Sequence, residues 1–228
     1  MRTGPVPATL QVDRVRFAWV ARLAGWALGR YVRLVAATAR HVGPPINQEQ
    51  CLFAFWHESN LAAAIAAAKL RRDQRFISFS TRGFRGVVMN TMLESVGAGV
   101  VTLPEEGKQS RAEAARMTAE LARLGREGWS LVVSLDGPFG PLRVAKPGAL
   151  IVAREAGLPI QPWAVSVRPP LRLAGRWDRM IVPLPFCRLR VHEGRVMRLA
   201  PREPLKPRLA ELQGELVRLA EQADRRMG

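Results

Sequence analysis

Short apolar runs alternate with helical patterns along most of the chain, and this alternation restricts the fold more than any other feature. The apolar runs predict strands at Cys51–Trp56, Arg75–Ser80, Val100–Leu103, Trp129–Leu135, Leu158–Val167 and Arg188–His192. Helices are predicted at Leu61–Leu70, Val87–Val96, Ser110–Gly125, Pro147–Gly157 and from Pro207 onward. Alternation of this kind predicts an α/β fold, with a mostly parallel central sheet flanked by helices.

Polar residues follow three of the predicted strands directly. His57, Arg82 and Asp136 each come at or just after the carboxyl end of a strand. In parallel sheets the carboxyl ends of the strands meet at one edge, and sites form there. The sequence therefore predicts a functional site at this edge of the sheet.

Residues 12–40 predict a long amphipathic helix at the N-terminus, closed by Gly43-Pro44-Pro45. One arc carries Arg16, Arg22, Arg30, Arg33 and Arg40 together with Trp19 and Trp26, and the opposite side carries Phe17, Val20, Ala24, Leu28, Tyr31 and Val35. Arginine mixed with tryptophan is typical of a helix at a lipid interface. A helix docked on the core with a solvated basic face has the same pattern. We expect residues 1–45 to form this helix and residues 46–228 to form the α/β domain.

Basic residues outnumber acidic ones, with 35 Lys and Arg against 19 Asp and Glu and a formal net charge of +16. Such a surface attracts anionic partners, chiefly phospholipid head groups or nucleic acid. The sequence contains no nucleic-acid-binding module, so we expect no nucleic-acid partner.

Cys51 and Cys187 are too few for a disulfide scaffold, and no Cys/His spacing resembles a metal site. We expect a reducing compartment, no metal and no bound cofactor.

The first residues lack the apolar stretch that a signal peptide needs, and no uninterrupted run reaches the roughly 20 residues that span a bilayer. If the protein binds a membrane, we therefore expect it to lie on the membrane surface.

Four sequence fragments occur in an order that resembles a known family. They are Phe55-Trp56-His57, the stretch from Asp136-Gly137-Pro138-Phe139-Gly140-Pro141 through Lys146-Pro147-Gly148 to Gly157-Leu158-Pro159-Ile160-Gln161-Pro162, Trp177-Asp178-Arg179, and Pro183-Leu184-Pro185-Phe186. Together they resemble the lysophospholipid acyltransferase-like superfamily. The closer likeness is to its bacterial branch with a Trp-His pair and an Asp-Gly-Pro-x-Gly-Pro motif. The resemblance spans roughly Phe53 to Val191.

The resemblance implies an enzyme of phospholipid metabolism or lipid biosynthesis at a membrane. In that superfamily a histidine takes the proton of an acceptor hydroxyl, which then attacks the thioester of acyl-CoA or acyl carrier protein. The acceptor would be a lysophospholipid or a lipid-linked sugar, and the location the cytoplasmic face of the inner membrane. Histidine suits this chemistry because imidazole titrates near neutral pH.

Carried over by position, the resemblance makes His57 the general base. Asp136 and Glu58 are its catalytic companions, and Arg82, Gly137, Arg143, Lys146 and Lys108 are the candidate substrate-binding residues. Asp136 would help to hold the acceptor; an Asp-Gly turn without any function explains it equally well.

The chain departs from the family pattern at two points. The wider superfamily has an acidic residue five positions after the histidine, to orient its ring, and Ala62 stands there. Glu58 is adjacent to His57 but neighbouring residues seldom point at each other, so we expect Asp136, Glu105 or Glu106 to orient the ring. Phe139 stands where the branch has arginine, and Leu103 to Lys108 replace an arginine-bearing loop. An alternative follows from these losses: a catalytically inactive relative that binds anionic lipid or a partner protein.

Overall fold

The computed structural model describes residues 17–70, 74–102 and 110–225 of the chain. Its helices are α1 (Ala18–Thr38), α2 (Asn60–Leu70), α3 (Gly83–Ser95), α4 (Arg111–Arg126), α5 (Gly148–Ala156) and α6 (Leu205–Arg225). Its strands are β1 (Arg40–His41), β2 (Leu52–Phe55), β3 (Phe76–Ser80), β4 (Gly99–Thr102), β5 (Ser130–Ser134), β6 (Ile160–Arg168) and β7 (Arg188–Glu193). A 3-10 turn, His57–Ser59, joins β2 to α2. Residues 12–16 of the predicted first helix, Arg16 included, lie outside the described part.

The strands form one seven-stranded sheet in the order β1-β7-β6-β2-β5-β3-β4. Every neighbouring pair is parallel except β6 and β7, which are antiparallel. The prediction of an α/β fold with a mostly parallel sheet is confirmed. The two-residue strand β1 was not predicted; its residues fall at the end of the predicted first helix and pair with β7 instead.

Helices cover both faces of the sheet. Alternate residues of β2 belong to different cores, because successive side chains of a strand point to opposite faces. Phe53 and Phe55 pack in the core with α1, α2 and α3, whereas Leu52 and Ala54 pack in the core with α4, α5 and α6. All four residues of β2 are buried as a result. Its short apolar sequence follows from burial on both faces.

The helix boundaries show the local signals that the sequence predicts. Ser110 and Glu113 form a reciprocal capping box at the start of α4, in which the Glu113 N–H donates to Ser110 Oγ at 3.2 Å. Gly157 ends α5 with a left-handed φ of 69°. The first turn of α3 begins at Gly83, earlier than the predicted start at Val87. Its two glycines weaken the helical pattern, but Gly86 lies against the Thr81 backbone, where no side chain would fit.

The buried face of α1 differs from the predicted one. It consists of Ala21, Gly25, Gly29, Val32, Val35 and Ala36, whereas Phe17 and Ala24 of the predicted apolar side are exposed. The cause is the close approach of α3. A Cβ at Gly25 would lie 2.5 Å from the Val88 carbonyl oxygen, and one at Gly29 would lie 1.8 Å from Ser95 Oγ. The division of the chain at residue 45 stays a prediction, although Val32, Val35 and Ala36 belong to the core around β2.

The same contacts fix the direction of α1. Gly25 lies beside Val88 and Thr91 of α3, and Gly29 lies beside Met92 and Ser95, so the two helices run in the same direction. Helix α3 starts at the carboxyl end of β3. Helix α1 packs parallel to α3, with Gly25 beside the middle of α3 and Gly29 near its C-terminal end.

None of the helices in the described part of the chain is long and apolar enough to cross a membrane.

Replacing Gly25 by alanine should destabilise the protein. Alanine favours a helix over glycine by about 1 kcal/mol, but overpacking against a backbone carbonyl costs about 1–3 kcal/mol. We expect a net loss in the free energy of unfolding measured with urea. The matched control is Gly214→Ala in α6, where nothing lies within 4 Å of the added Cβ and the protein should gain stability. Equal gains for both variants would contradict the close packing of α1 on α3.

Candidate active site

The predicted site residues meet at one edge of the sheet. Strands β2, β5 and β3 are parallel, and His57, Asp136 and Arg82 follow their carboxyl ends. The His57 backbone N–H donates to Asp136 Oδ1 at 2.8 Å, so the loops after β2 and β5 are in direct contact.

The carboxylate that contacts the His57 ring belongs to Asp178. His57 Nδ1 lies 2.7 Å from Asp178 Oδ2, and the Asp178 side chain has no exposed surface. An ionised carboxylate only accepts hydrogen bonds, so Nδ1 is the donor and Nε2 carries the free lone pair. The residues described here offer Nε2 no hydrogen-bond partner, and 17% of the His57 side chain is exposed. This arrangement leaves Nε2 available to accept a proton.

The prediction that Asp136 orients the ring is therefore corrected. Asp136 contacts the His57 backbone and Asp178 contacts the ring. Glu105 and Glu106 lie outside the described residues. Asp178 is 121 residues from His57 along the chain, and only the return of the loop after β6 to this edge brings it close. The Trp177-Asp178-Arg179 motif was the one sequence signal that could have indicated it.

Arg176 keeps Asp178 charged. Its Nε and Nη2 donate to the two carboxylate oxygens at 2.8 Å each. Burial opposes ionisation, but the hydrogen bonds from Arg176 and His57 outweigh it and hold the pKa of Asp178 below its ordinary value. A charged Asp178 can stabilise a protonated His57 ring, as the acidic member of a catalytic triad does.

The Trp177 indole packs beside the His57 ring. The two ring centroids are 5.1 Å apart, with the planes tilted by 43°. Gly140 also lies against the indole, where a Cβ would be 2.8 Å from Trp177 Cε3. Gly140 also has a left-handed φ of 76°, so glycine is required there twice over. The Asp-Gly-Pro-Phe-Gly-Pro loop thus packs against the loop that carries Asp178.

Asp136 binds backbone N–H groups of two loops. Its side chain is fully buried, Oδ1 accepts from the His57 N–H, and Oδ2 accepts from the Arg143 N–H at 3.2 Å. Burial raises the pKa of Asp136, although both backbone hydrogen bonds act in the opposite direction. Of the two interpretations of Asp136, this geometry favours the structural one.

Glu58 and Arg143 form an ion pair next to His57. Glu58 Oε1 accepts from Arg143 at 2.7 Å, and Oε2 accepts from Arg172 at 3.1 Å. Both arginines also contact Asp224 of α6. These four side chains, Glu58, Arg143, Arg172 and Asp224, form an ion cluster in which charges alternate. The catalytic role of Glu58 and the substrate-binding role of Arg143 stay predictions; in this structure their charged groups are paired within the cluster.

The remaining basic candidates lie around this edge. Arg82 is exposed at the start of α3, near Glu113 of α4. Hydrogen bonds from Ser110 lower the pKa of Glu113, and the charge of Arg82 adds to the effect. Lys146 bonds through its backbone N–H to the Leu135 carbonyl at 2.8 Å, and its side chain passes over Gly137, where a Cβ would lie 3.3 Å from Nζ. Lys108 lies outside the described residues.

No group of three or more His, Cys, Asp or Glu side chains within residues 17–70, 74–102 and 110–225 is arranged to hold a metal ion.

Known proteins resemble this chain in sequence and in fold. No family model matches the chain. The chain is 23% identical over 149 residues to an uncharacterized protein of Rickettsia prowazekii (strain Madrid E), a match that covers 65% of this chain and 64% of that protein. The chain thus spans less than two thirds of that relative's length.

The solved structure of the 1-acyl-sn-glycerophosphate (LPA) acyltransferase PlsC from Thermotoga maritima superposes on the chain with a TM-score of 0.53. The chain has this fold. The superposition covers 93% of this chain and 84% of PlsC, at 14% sequence identity. At that identity the likeness establishes the architecture alone.

Removing the central charge of the ion cluster should destabilise the protein. We expect Glu58→Gln to lower the free energy of unfolding by about 3 kcal/mol, because it leaves two arginines facing each other without their carboxylate. The matched control is Glu120→Gln, which breaks an exposed pair with Arg123 and should cost less than about 1 kcal/mol. Urea denaturation of the three proteins measures both. Equal costs would show that the cluster does not stabilise the loops.

Proposed function

We propose that the protein is an acyltransferase that moves a fatty acyl group from a thioester donor to a hydroxyl of a lysophospholipid or lipid-linked acceptor. The observation that carries this proposal is the His57–Asp178 pair, in which a buried carboxylate fixes one ring nitrogen and leaves the other free. The pair lies at the strand edge where α/β proteins form sites. The chain also has the fold of a known acyltransferase, which supports acyl transfer as the reaction of this pair.

In the proposed reaction His57 Nε2 removes the proton of the acceptor hydroxyl. The oxygen attacks the carbonyl carbon of the thioester, the new C–O bond forms, and the C–S bond breaks. The imidazolium then returns its proton to the departing thiolate, so that an ester and a free thiol leave. Asp178 stabilises the imidazolium while it exists, and Arg176 keeps Asp178 ionised.

Asp178 weakens the main argument for an inactive relative. That alternative rested on Phe139 and on Ala62, which stands where an orienting carboxylate is expected. Ala62 is fully buried in the core, and Asp178 supplies the carboxylate from another loop.

For the acceptor's phosphate or the donor's phosphates we propose Arg82 and Lys146, with Gly137 making room for the lysine side chain. Lys108 stays a prediction. The donor is acyl-CoA or acyl carrier protein, and no bound cofactor is needed for the proton transfers proposed here.

We further propose that α1 holds the enzyme on the anionic cytoplasmic face of the inner membrane. The exposed face of α1 carries Trp19, Leu23 and Trp26, which are 69%, 59% and 52% exposed. Exposed Arg22, Arg30 and Arg33 flank them. Large apolar groups beside arginines on one helix face favour insertion at head-group level.

The proposed function is tested by transfer from labelled acyl-CoA or acyl carrier protein to a panel of lysophospholipids. We expect His57→Ala to lower kcat by about 10²–10⁴-fold, the usual contribution of a general base. Asp178→Asn keeps the size of the side chain but cannot hold the ring in the same state, and should lower kcat by a similar factor with little change in KM. Circular dichroism checks that both variants fold.

Glu120→Gln is the surface control and should transfer at the wild-type rate. Undiminished turnover by His57→Ala would refute the assignment of the base. Vesicle binding without transfer from either donor to any acceptor would support the inactive lipid-binding alternative.

Membrane binding is tested by point substitution, because deleting α1 would also remove core residues such as Val32 and Val35. Trp19→Ser together with Trp26→Ser should weaken binding to phosphatidylglycerol vesicles by at least about tenfold, since burying one large apolar side chain is worth about 1.5–3 kcal/mol. Sedimentation with vesicles measures the effect. Val196→Ser, a partly exposed residue between β7 and α6, should bind as the wild type does. Equal binding by all three proteins would exclude α1 as the docking surface.

A further inference from the structure

Two exposed aromatic side chains lie on the loops next to His57 and have no part in the proton transfers. Trp177 is 37% exposed beside the His57 ring, and Phe139 is 61% exposed next to Gly140, which packs against Trp177. Both belong to loops that meet at His57. We refer to Trp177 and Phe139 together as the aromatic ledge.

The ledge is rigidly supported. Trp177 is bracketed by Arg176 and Asp178, which are bound to each other through two hydrogen bonds. The loop that carries Phe139 is fixed at both ends, because Asp136 accepts from the His57 and Arg143 backbones and the Arg143 side chain pairs with Glu58. The exposure of Phe139 is therefore a property of an anchored loop. An anchored apolar surface next to a site indicates a contact with an apolar ligand.

Reaction geometry decides which apolar group lies there. In acyl transfer the thioester carbon must approach within about 3–3.5 Å of the oxygen that His57 deprotonates. The alkyl chain of the donor begins at the very next carbon. Its first carbons must then lie within a few ångströms of His57, the range in which the Trp177 indole lies at 5.1 Å. The chain of a lysolipid acceptor is farther away, since glycerol carbons and an ester separate it from the reacting hydroxyl.

We propose that the aromatic ledge binds the first carbons of the donor's acyl chain beside His57. This inference rests on the proposed function. It assigns the ledge to the acyl group itself, which CoA and carrier-protein donors share, and it makes Phe139 and Trp177 determinants of chain selectivity.

The first arm of the test measures binding without turnover. The probe is an S-alkyl pantetheine thioether, the arm common to both donors, with a photoreactive diazirine at carbon 4 or carbon 12 of the chain. After irradiation of the full-length protein, peptide mapping should find the carbon-4 label on Trp177, Phe139 or their neighbours and the carbon-12 label elsewhere. A lysophosphatidic acid with a diazirine on its own chain should not label the ledge. Labelling of the ledge by this acceptor and not by the thioether would overturn the proposal.

The second arm measures selectivity during turnover. In Phe139→Ala the ratio of kcat/KM for hexanoyl over acetyl donors should fall at least about tenfold, the effect of a lost hydrophobic contact of one to two methylenes. Phe186→Ala is the matched control, because Phe186 is 79% exposed on the loop before β7 and should leave the ratio unchanged. An unchanged ratio in Phe139→Ala, with weaker vesicle binding, would assign the ledge to the bilayer and overturn the proposal.

The two proposals fail differently. Carbon-4 labelling of the ledge in a protein that transfers no acyl group would refute the proposed function and leave the ledge as a thioether-binding surface. Normal transfer with no labelling of the ledge and an unchanged ratio in Phe139→Ala would refute the ledge alone.

Discussion

Glu58 is the buried charge on which the arrangement of the site depends. It follows His57 directly, and through Arg143, Arg172 and Asp224 it joins the loop after β5, the loop after β6 and the end of α6. Its backbone carbonyl also accepts from the Ile181 N–H at 2.8 Å, near Asp178. A desolvated carboxylate tolerates burial only while both of its partners are in place. The two loops and the end of α6 are consequently held in a single arrangement around His57.

Three buried carboxylates surround His57, and each has a different task. Asp178 fixes the ring, Asp136 fixes the backbone, and Glu58 fixes the neighbouring loops through arginine. The partners of each carboxylate explain the division. Asp178 is paired with an arginine and stays charged, whereas Asp136 receives only backbone N–H groups and its pKa is raised by burial. Only the first is suited to stabilise a protonated imidazole during a reaction.

The sequence predicts what depends on local periodicity. The apolar run of β2, the capping box at Ser110 and the Gly157 stop each depend on residues within a few positions, and the structure confirms them. Contacts between distant segments were not predictable in the same way. Nothing in the spacing pairs Asp178 with His57 across 121 residues, or Arg143 with Glu58. The docked face of α1 was predicted only in part for a related reason, since two glycines allow a close backbone approach that hydrophobic periodicity does not indicate.

Helix α1 packs on the core largely through glycine and alanine, so its largest apolar side chains are exposed on the opposite face. Trp19, Leu23 and Trp26 together form a stripe that water solvates poorly. A bilayer and a second copy of the protein would each cover the stripe with the same side chains, so the two modes of cover exclude one another. Any self-association through α1 would therefore compete with the proposed binding to a membrane. Vesicles added to the purified protein would then dissociate such a complex.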